Sequence, residues 1–177
     1  MRLTLFFIAA ITLTSCGDAS SEVTSEWTEV QKTSVENIKE LEKVALGLPM
    51  NSAADVENLK RTKLQLIDSL LNYYRSYPKD TLAPGYLDKV HMLYSGMGEY
   101  RTASTYAEMI LNQYPNYVNR QMVIESQIVN YDIFITPRNA DKVKQYVELM
   151  LKEKELSPEV REEYELRLQN IDKSLLD

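Results

Sequence analysis

Cysteine occurs once in 177 residues, and histidine once. That scarcity excludes a disulfide framework and a Cys/His metal site. Glycine (5) and proline (6) are also few, which argues against a turn-rich β sandwich and for long helices. Basic residues are in deficit, with 20 Lys and Arg against 26 Asp and Glu and a net charge of −6. The clustered cations that nucleic-acid binding requires are therefore missing. Phenylalanine (3) and tryptophan (1) give way to 12 tyrosines, rings that pack on one side and keep a polar tip. What is present is 44% hydrophobic and 26% charged residues, enough to build a core. The length suits one compact domain or a short repeat array.

The N-terminus reads MRLTLFFIAAITLTSC. Arg2 supplies positive charge, and residues 3–13 are apolar except for Thr4 and Thr12. This run is shorter than the roughly 20 residues that span a hydrocarbon core and has the length of a signal-peptide apolar region. It ends in Leu13-Thr14-Ser15-Cys16 followed by Gly17-Asp18. That string resembles the bacterial lipobox at all four positions. The resemblance implies cleavage after residue 15 and lipidation of the Cys16 thiol. Several acyl chains would then hold the protein where a single chain could not, at about 0.8 kcal/mol per buried CH₂. It also implies a cell-envelope protein, and the absence of Asp directly after Cys16 favours the outer membrane of a diderm bacterium. Residues 1–15 are thus expected to be a signal peptide. Residues 16–26, small, polar and acidic after the cysteine, are expected to be a flexible tether. Residues 27–177 are expected to form the folded domain.

From Trp27 onward apolar residues recur at three- and four-residue steps. A first helix carries Trp27, Val30, Ile38, Leu41, Val44, Ala45 and Leu48, and Gly47 and Pro49 stop it. Asn51 or Ser52 caps a second, which runs through Leu59, Ile67, Leu70 and Tyr74 to Pro78. A third starts near Pro84 and breaks at Gly96 and Gly98. The spacing predicts further helices over about 99–114, 116–133 and 139–154. Ser157-Pro158-Glu159 opens the last one, with an N-cap serine and proline at the first position. It carries Val160, Tyr164, Leu168, Ile171 and Leu175. No stretch sustains period-two alternation, so the fold class is all-α.

The chain also repeats itself. Leu71-Asn72-Tyr73-Tyr74-Arg75-Ser76-Tyr77-Pro78 returns as Ile110-Leu111-Asn112-Gln113-Tyr114-Pro115, with the Tyr-Pro pairs 37 residues apart. Within 84–117, Leu87, Val90, Tyr94, Gly98, Tyr100, Ala103 and Pro115 follow the pattern of a tetratricopeptide repeat (TPR). His91 and the Ala107/Ile110 pair depart from it. The chain resembles TPR lipoproteins and periplasmic proteins of the BamD and YbgF type. That likeness implies a right-handed solenoid of helical hairpins, about three pairs plus a C-terminal capping helix. In it Gly98 makes the turn, Ala103 lets helices approach, Tyr94 and Tyr100 fill the space between hairpins, and Pro115 ends the second helix.

Nothing in the sequence marks a catalytic centre. Gly96-Met97-Gly98 lacks the residues of a phosphate loop, no serine stands in a nucleophile elbow, and His91 reads as a packed side chain. The expectation is a protein without cofactor and without enzymatic activity. It would bind the bilayer through acylated Cys16 and hold an envelope protein or peptide as a non-catalytic scaffold. The alternative is a glycan- or small-ligand-binding lipoprotein with a concave groove lined by Tyr86, His91 and Tyr94.

Overall fold

Four helices begin on a side chain that accepts from their first free amides. Thr28 Oγ1 accepts from the Gln31 amide at 3.2 Å, and Ser52 Oγ from Asp55 at 3.1 Å. Asn139 Oδ1 accepts from Lys142 at 3.0 Å and Ser157 Oγ from Val160 at 3.3 Å. Each such cap is worth about 1 kcal/mol. The computed structural model describes residues 27–176; the expected signal peptide, Cys16 and the tether lie outside them. Among the described residues there are seven α-helices and no strand. They are α1 (Glu29–Gly47), α2 (Ala53–Ser76), α3 (Ala83–Gly96), α4 (Tyr100–Gln113), α5 (Arg120–Val129), α6 (Ala140–Met150) and α7 (Pro158–Gln169). A π-helical turn, Asn130–Phe134, continues α5. No described helix is long and apolar enough to cross a membrane.

Each helix packs chiefly on the one before it and the one after it. Short connections between packed neighbours make them antiparallel. Turns from odd to even helices therefore lie at one edge of the molecule and turns from even to odd at the other. Even helices end at Ser76, Gln113 and Met150. The turns after the first two repeat residue for residue. The Tyr77, Asp80 and Ala83 amides donate to Tyr73, Tyr77 and Asp80 carbonyls, and the Tyr114, Tyr117 and Arg120 amides to Ile110, Tyr114 and Tyr117. The core is a continuous apolar strip through Ile67, Leu70, Leu87, Val90, Ala107, Ile110, Ile124, Val143 and Val147, all fully enclosed.

The α3–α4 turn needs glycine. The Glu99 amide donates to the Tyr94 carbonyl and the Gly98 amide to Ser95, the paired bonds that end a helix on a left-handed residue. Gly98 is that residue, at φ +79°.

Several elements differ from the sequence expectation. α5 starts at Arg120, not 116, because the preceding residues form the repeated turn. α6 stops at Met150, not 154. Its last carbonyls are taken by Lys152 and Glu153 amides in tighter bonds, and Arg161 donates to the Leu151 carbonyl at 2.8 Å. α7 ends at Gln169, so Ile171 and Leu175 lie in the turns beyond it. Val30 and Val44, placed on an apolar face by spacing, are exposed. For Val30 and Val44 the reason is position, since α1 packs principally on α2 alone.

Candidate functional site

A polar chain links α3 to α5. Asp88 and His91 stand one helical turn apart, and so on the same face of α3. His91 Nδ1 lies 3.2 Å from Asp88 Oδ1, and Ser126 Oγ lies 2.8 Å from His91 Nε2. Tyr117 donates its hydroxyl to Asp88 Oδ2 at 2.9 Å, and Asn119 Nδ2 donates to that hydroxyl at 3.2 Å. With Asp88 accepting from Tyr117 at Oδ2, its Oδ1 is left to face His91 Nδ1, and Nε2 faces the Ser126 hydroxyl. Burial, and then the bond and charge of Asp88, push the Tyr117 hydroxyl up to about 12.

Serine, histidine and aspartate in this order are the parts of an acyl-transfer relay. Ser126 sits inside α5, where its own amide is committed to the carbonyl one turn back. His91 is only 4% exposed. The group acts as a hydrogen-bonded pin between two odd helices. Its Asp88–His91 pair is a spacing of three on a helix that was legible in the sequence and missed.

The structure does not gather Tyr86, His91 and Tyr94 into one groove. At about 100° per residue, these positions fan over roughly 140° of α3. Tyr86 is 6% exposed and meets Tyr73 edge-on, with centroids 4.8 Å apart. Burial pushes its hydroxyl up to about 12. His91 belongs to the pin, and half-buried Tyr94 stacks on Tyr106 at 5.6 Å. Tyr86 does border a cleft of about 680 Å³, with Pro84, Tyr114, Tyr117 and Val118, at the even-to-odd edge. Two of its hydroxyls are engaged within the protein, Tyr114 on the Pro78 carbonyl at 2.6 Å and Tyr117 on Asp88. Of the other residues singled out in the repeat, Tyr100 and Ala103 take packing positions and Pro115 does not. Tyr100 stacks on Phe134 at 4.3 Å, Ala103 is fully buried, and Pro115 is exposed in the α4–α5 turn.

Two further polar centres were not foreseen. Glu108 Oε1 accepts from Lys142 Nζ at 2.9 Å, Tyr146 at 2.8 Å and Tyr131 at 3.3 Å. Burial alone would raise its carboxyl, but the Lys142 and Tyr146 hydrogen bonds and the Lys142 charge hold it below the usual carboxylate range. The second is Asp132, whose side chain is fully enclosed. Its Oδ1 accepts from Arg138 Nε at 2.6 Å and Arg167 at 2.8 Å, and its Oδ2 from the Leu175 amide at 2.7 Å. Arg138 also donates to the Ile171 and Lys173 carbonyls. This node ties the C-terminal turns to the π-helical turn. No protein-family model, curated protein or solved structure matches the chain.

Proposed function

We propose that the protein is a lipid-anchored envelope scaffold, held by acylated Cys16 and built as a TPR-like solenoid that engages another protein without catalysis. The observation that carries the repeat is the 37-residue recurrence of even-helix ends at Ser76, Gln113 and Met150, with the same turn hydrogen bonds after the first two. Packing of each helix on its sequence neighbours fits such an array, which is quasi-one-dimensional. The anchor rests on the lipobox resemblance alone. The glycan-binding alternative draws no support from Tyr86, which offers too little surface for a sugar face to stack upon.

Crosslinking in intact cells followed by mass spectrometry tests the scaffold reading. One dominant envelope protein should be recovered, and recovery of background alone overturns it. For the anchor, Cys16→Ala should leave the chain uncleaved and unlipidated; normal processing of that variant refutes it.

A further inference from the structure

The two edges of the helical array differ in charge. On the odd-to-even edge, no Asp, Glu, Lys or Arg occurs between Lys43 and Asp55, none between Lys89 and Glu99, and none between Asp132 and Arg138. Apolar side chains project instead. At the α1–α2 turn Leu46 is 88% exposed and Met50 70%, with Val44 and Val56 also exposed. Met92 near the end of α3 and Phe134 in the π-helical turn are exposed as well. On the other edge, 77–82 carries Lys79 and Asp80, and 151–157 carries Lys152, Glu153, Lys154 and Glu155. Its middle turn, 114–119, is uncharged and bears exposed Val118.

Behind the α1–α2 tip stand exposed Lys43, Lys60 and Arg61, with exposed Glu40 at the same depth on α1. Asp55 is spent on the Asn51 amide at 3.2 Å, which leaves Glu57 as the nearby exposed acid on the first turns of α2. An uncharged apolar tip with charged residues set back from it fits a bilayer surface, where the tip enters the acyl boundary and Lys43, Lys60 and Arg61 reach the headgroups. The whole chain is net negative, so charge alone would not bring it there.

We propose that the odd-to-even edge, led by Leu46 and Met50, is a second membrane contact. It inserts shallowly into the leaflet that holds Cys16. This rests on the anchor reading. The chain length permits it: α1 is about 28 Å long, and the residues from Cys16 to Thr28 reach about 40 Å when extended. The tether can therefore run back along α1 and bring the far tip to the lipid. The domain would then stand on the membrane on two points, with the even-to-odd edge held away from it.

The test uses the full acylated chain in vesicles of phosphatidylethanolamine and phosphatidylglycerol. Leu46→Cys, Met50→Cys and Val118→Cys are each labelled with an environment-sensitive fluorophore; Val118 matches Leu46 in exposure but lies at the opposite edge. Labels at 46 and 50 should shift to the blue and lose most of their emission to a lipid bearing a nitroxide near the top of its acyl chain. The label at 118 should do neither. Equal behaviour at 46 and 118 overturns the proposal. So does a blue shift at 46 without quenching, which places a second copy or another protein on the tip. Mass spectrometry of the Cys16 peptide separates this proposal from its premise. An acylated chain with an unquenched label at 46 sinks the edge contact alone. With an unacylated chain the anchor fails, and the edge contact is judged on Leu46→Cys in a Cys16→Ala chain mixed with the same vesicles. Quenching there upholds it and its absence overturns it.

Discussion

The middle of the molecule and its C-terminal end are held by different forces. α3 and α4 meet through Leu87, Val90, Ala103, Ala107 and Ile110, each fully enclosed. α7 contributes no fully buried residue. Half-buried Tyr164, Leu168 and Ile171 touch the core from outside. What positions the end is polar: Asp132 gripping Arg138, Arg167 and the Leu175 amide, and Arg161 on the carbonyls after α6. Burial of apolar area is non-directional and tolerates small shifts. A buried carboxylate between two guanidinium groups does not, because removing one partner leaves the others desolvated and unpaired. The middle should therefore unfold as one cooperative unit with the whole, and the end should be able to come loose by itself.

The strongest way to break that contrast is Asp132→Ala. Two arginines lose their shared partner, at a cost of about 3–5 kcal/mol. Hydrogen exchange should rise across 158–176 while amides of α3 and α4 keep their protection. Uniform loss of protection would show that the end is not a separate unit. Leu87→Ala tests the other side. The cavity in the strip should cost about 2–5 kcal/mol and lower the midpoint of a single cooperative denaturation, with α7 released no earlier than the rest.

Gly98→Ala has a smaller effect. No atom stands within 4 Å of the added Cβ, so the cost is conformational. A left-handed backbone without glycine should cost about 1 kcal/mol, visible as a modest fall in the denaturation midpoint. An unchanged midpoint would mean that the α3–α4 turn rearranges freely.

The same division governs what the sequence discloses. Helices around the apolar strip were readable because burial imposes a three-to-four spacing, and because Ser52, Gly98, Pro115 and Ser157 mark their ends by local chemistry. α7 was read too long. Ile171 and Leu175 continue its spacing, yet Asn170 closes the helix by donating its amide to the Leu166 and Arg167 carbonyls. The Asp132 node was invisible, since Arg167 lies 35 residues away and meets it only after two further helices have packed. The Tyr86, His91 and Tyr94 groove failed for a geometric reason. Tyr86 is enclosed against Tyr73, His91 is bound to Asp88 and Ser126, and Tyr94 stacks on Tyr106, so each is taken by a different neighbour that spacing along α3 does not reveal. Asp88, three residues before His91 on the same face, was the informative partner.

Glu108 sits where the two regions join. It lies on α4, and its partners Lys142 and Tyr146 lie on α6, with Tyr131 on the π-helical turn between. The folded structure holds its carboxyl below the usual carboxylate range, the hydrogen bonds and charge of Lys142 and the Tyr146 bond outweighing the burial that opposes them. A carboxyl depressed on folding contributes stability above its unfolded value. That contribution is lost as pH falls through the folded one. Stability should therefore decline on acidification below about pH 4.5, the ordinary value for this group. The side chain is about a third exposed, so solvent screening limits the effect to less than about 1 kcal/mol. Glu108→Gln keeps an acceptor for both tyrosines and removes the titration. Denaturation midpoints of the two proteins should differ at neutral pH and draw together as pH falls below about 4.5. If the variant keeps the full acid dependence, other carboxylates carry it and the joint between middle and end is apolar, resting on α5 and the enclosed Val143 and Val147 rather than on this ion pair.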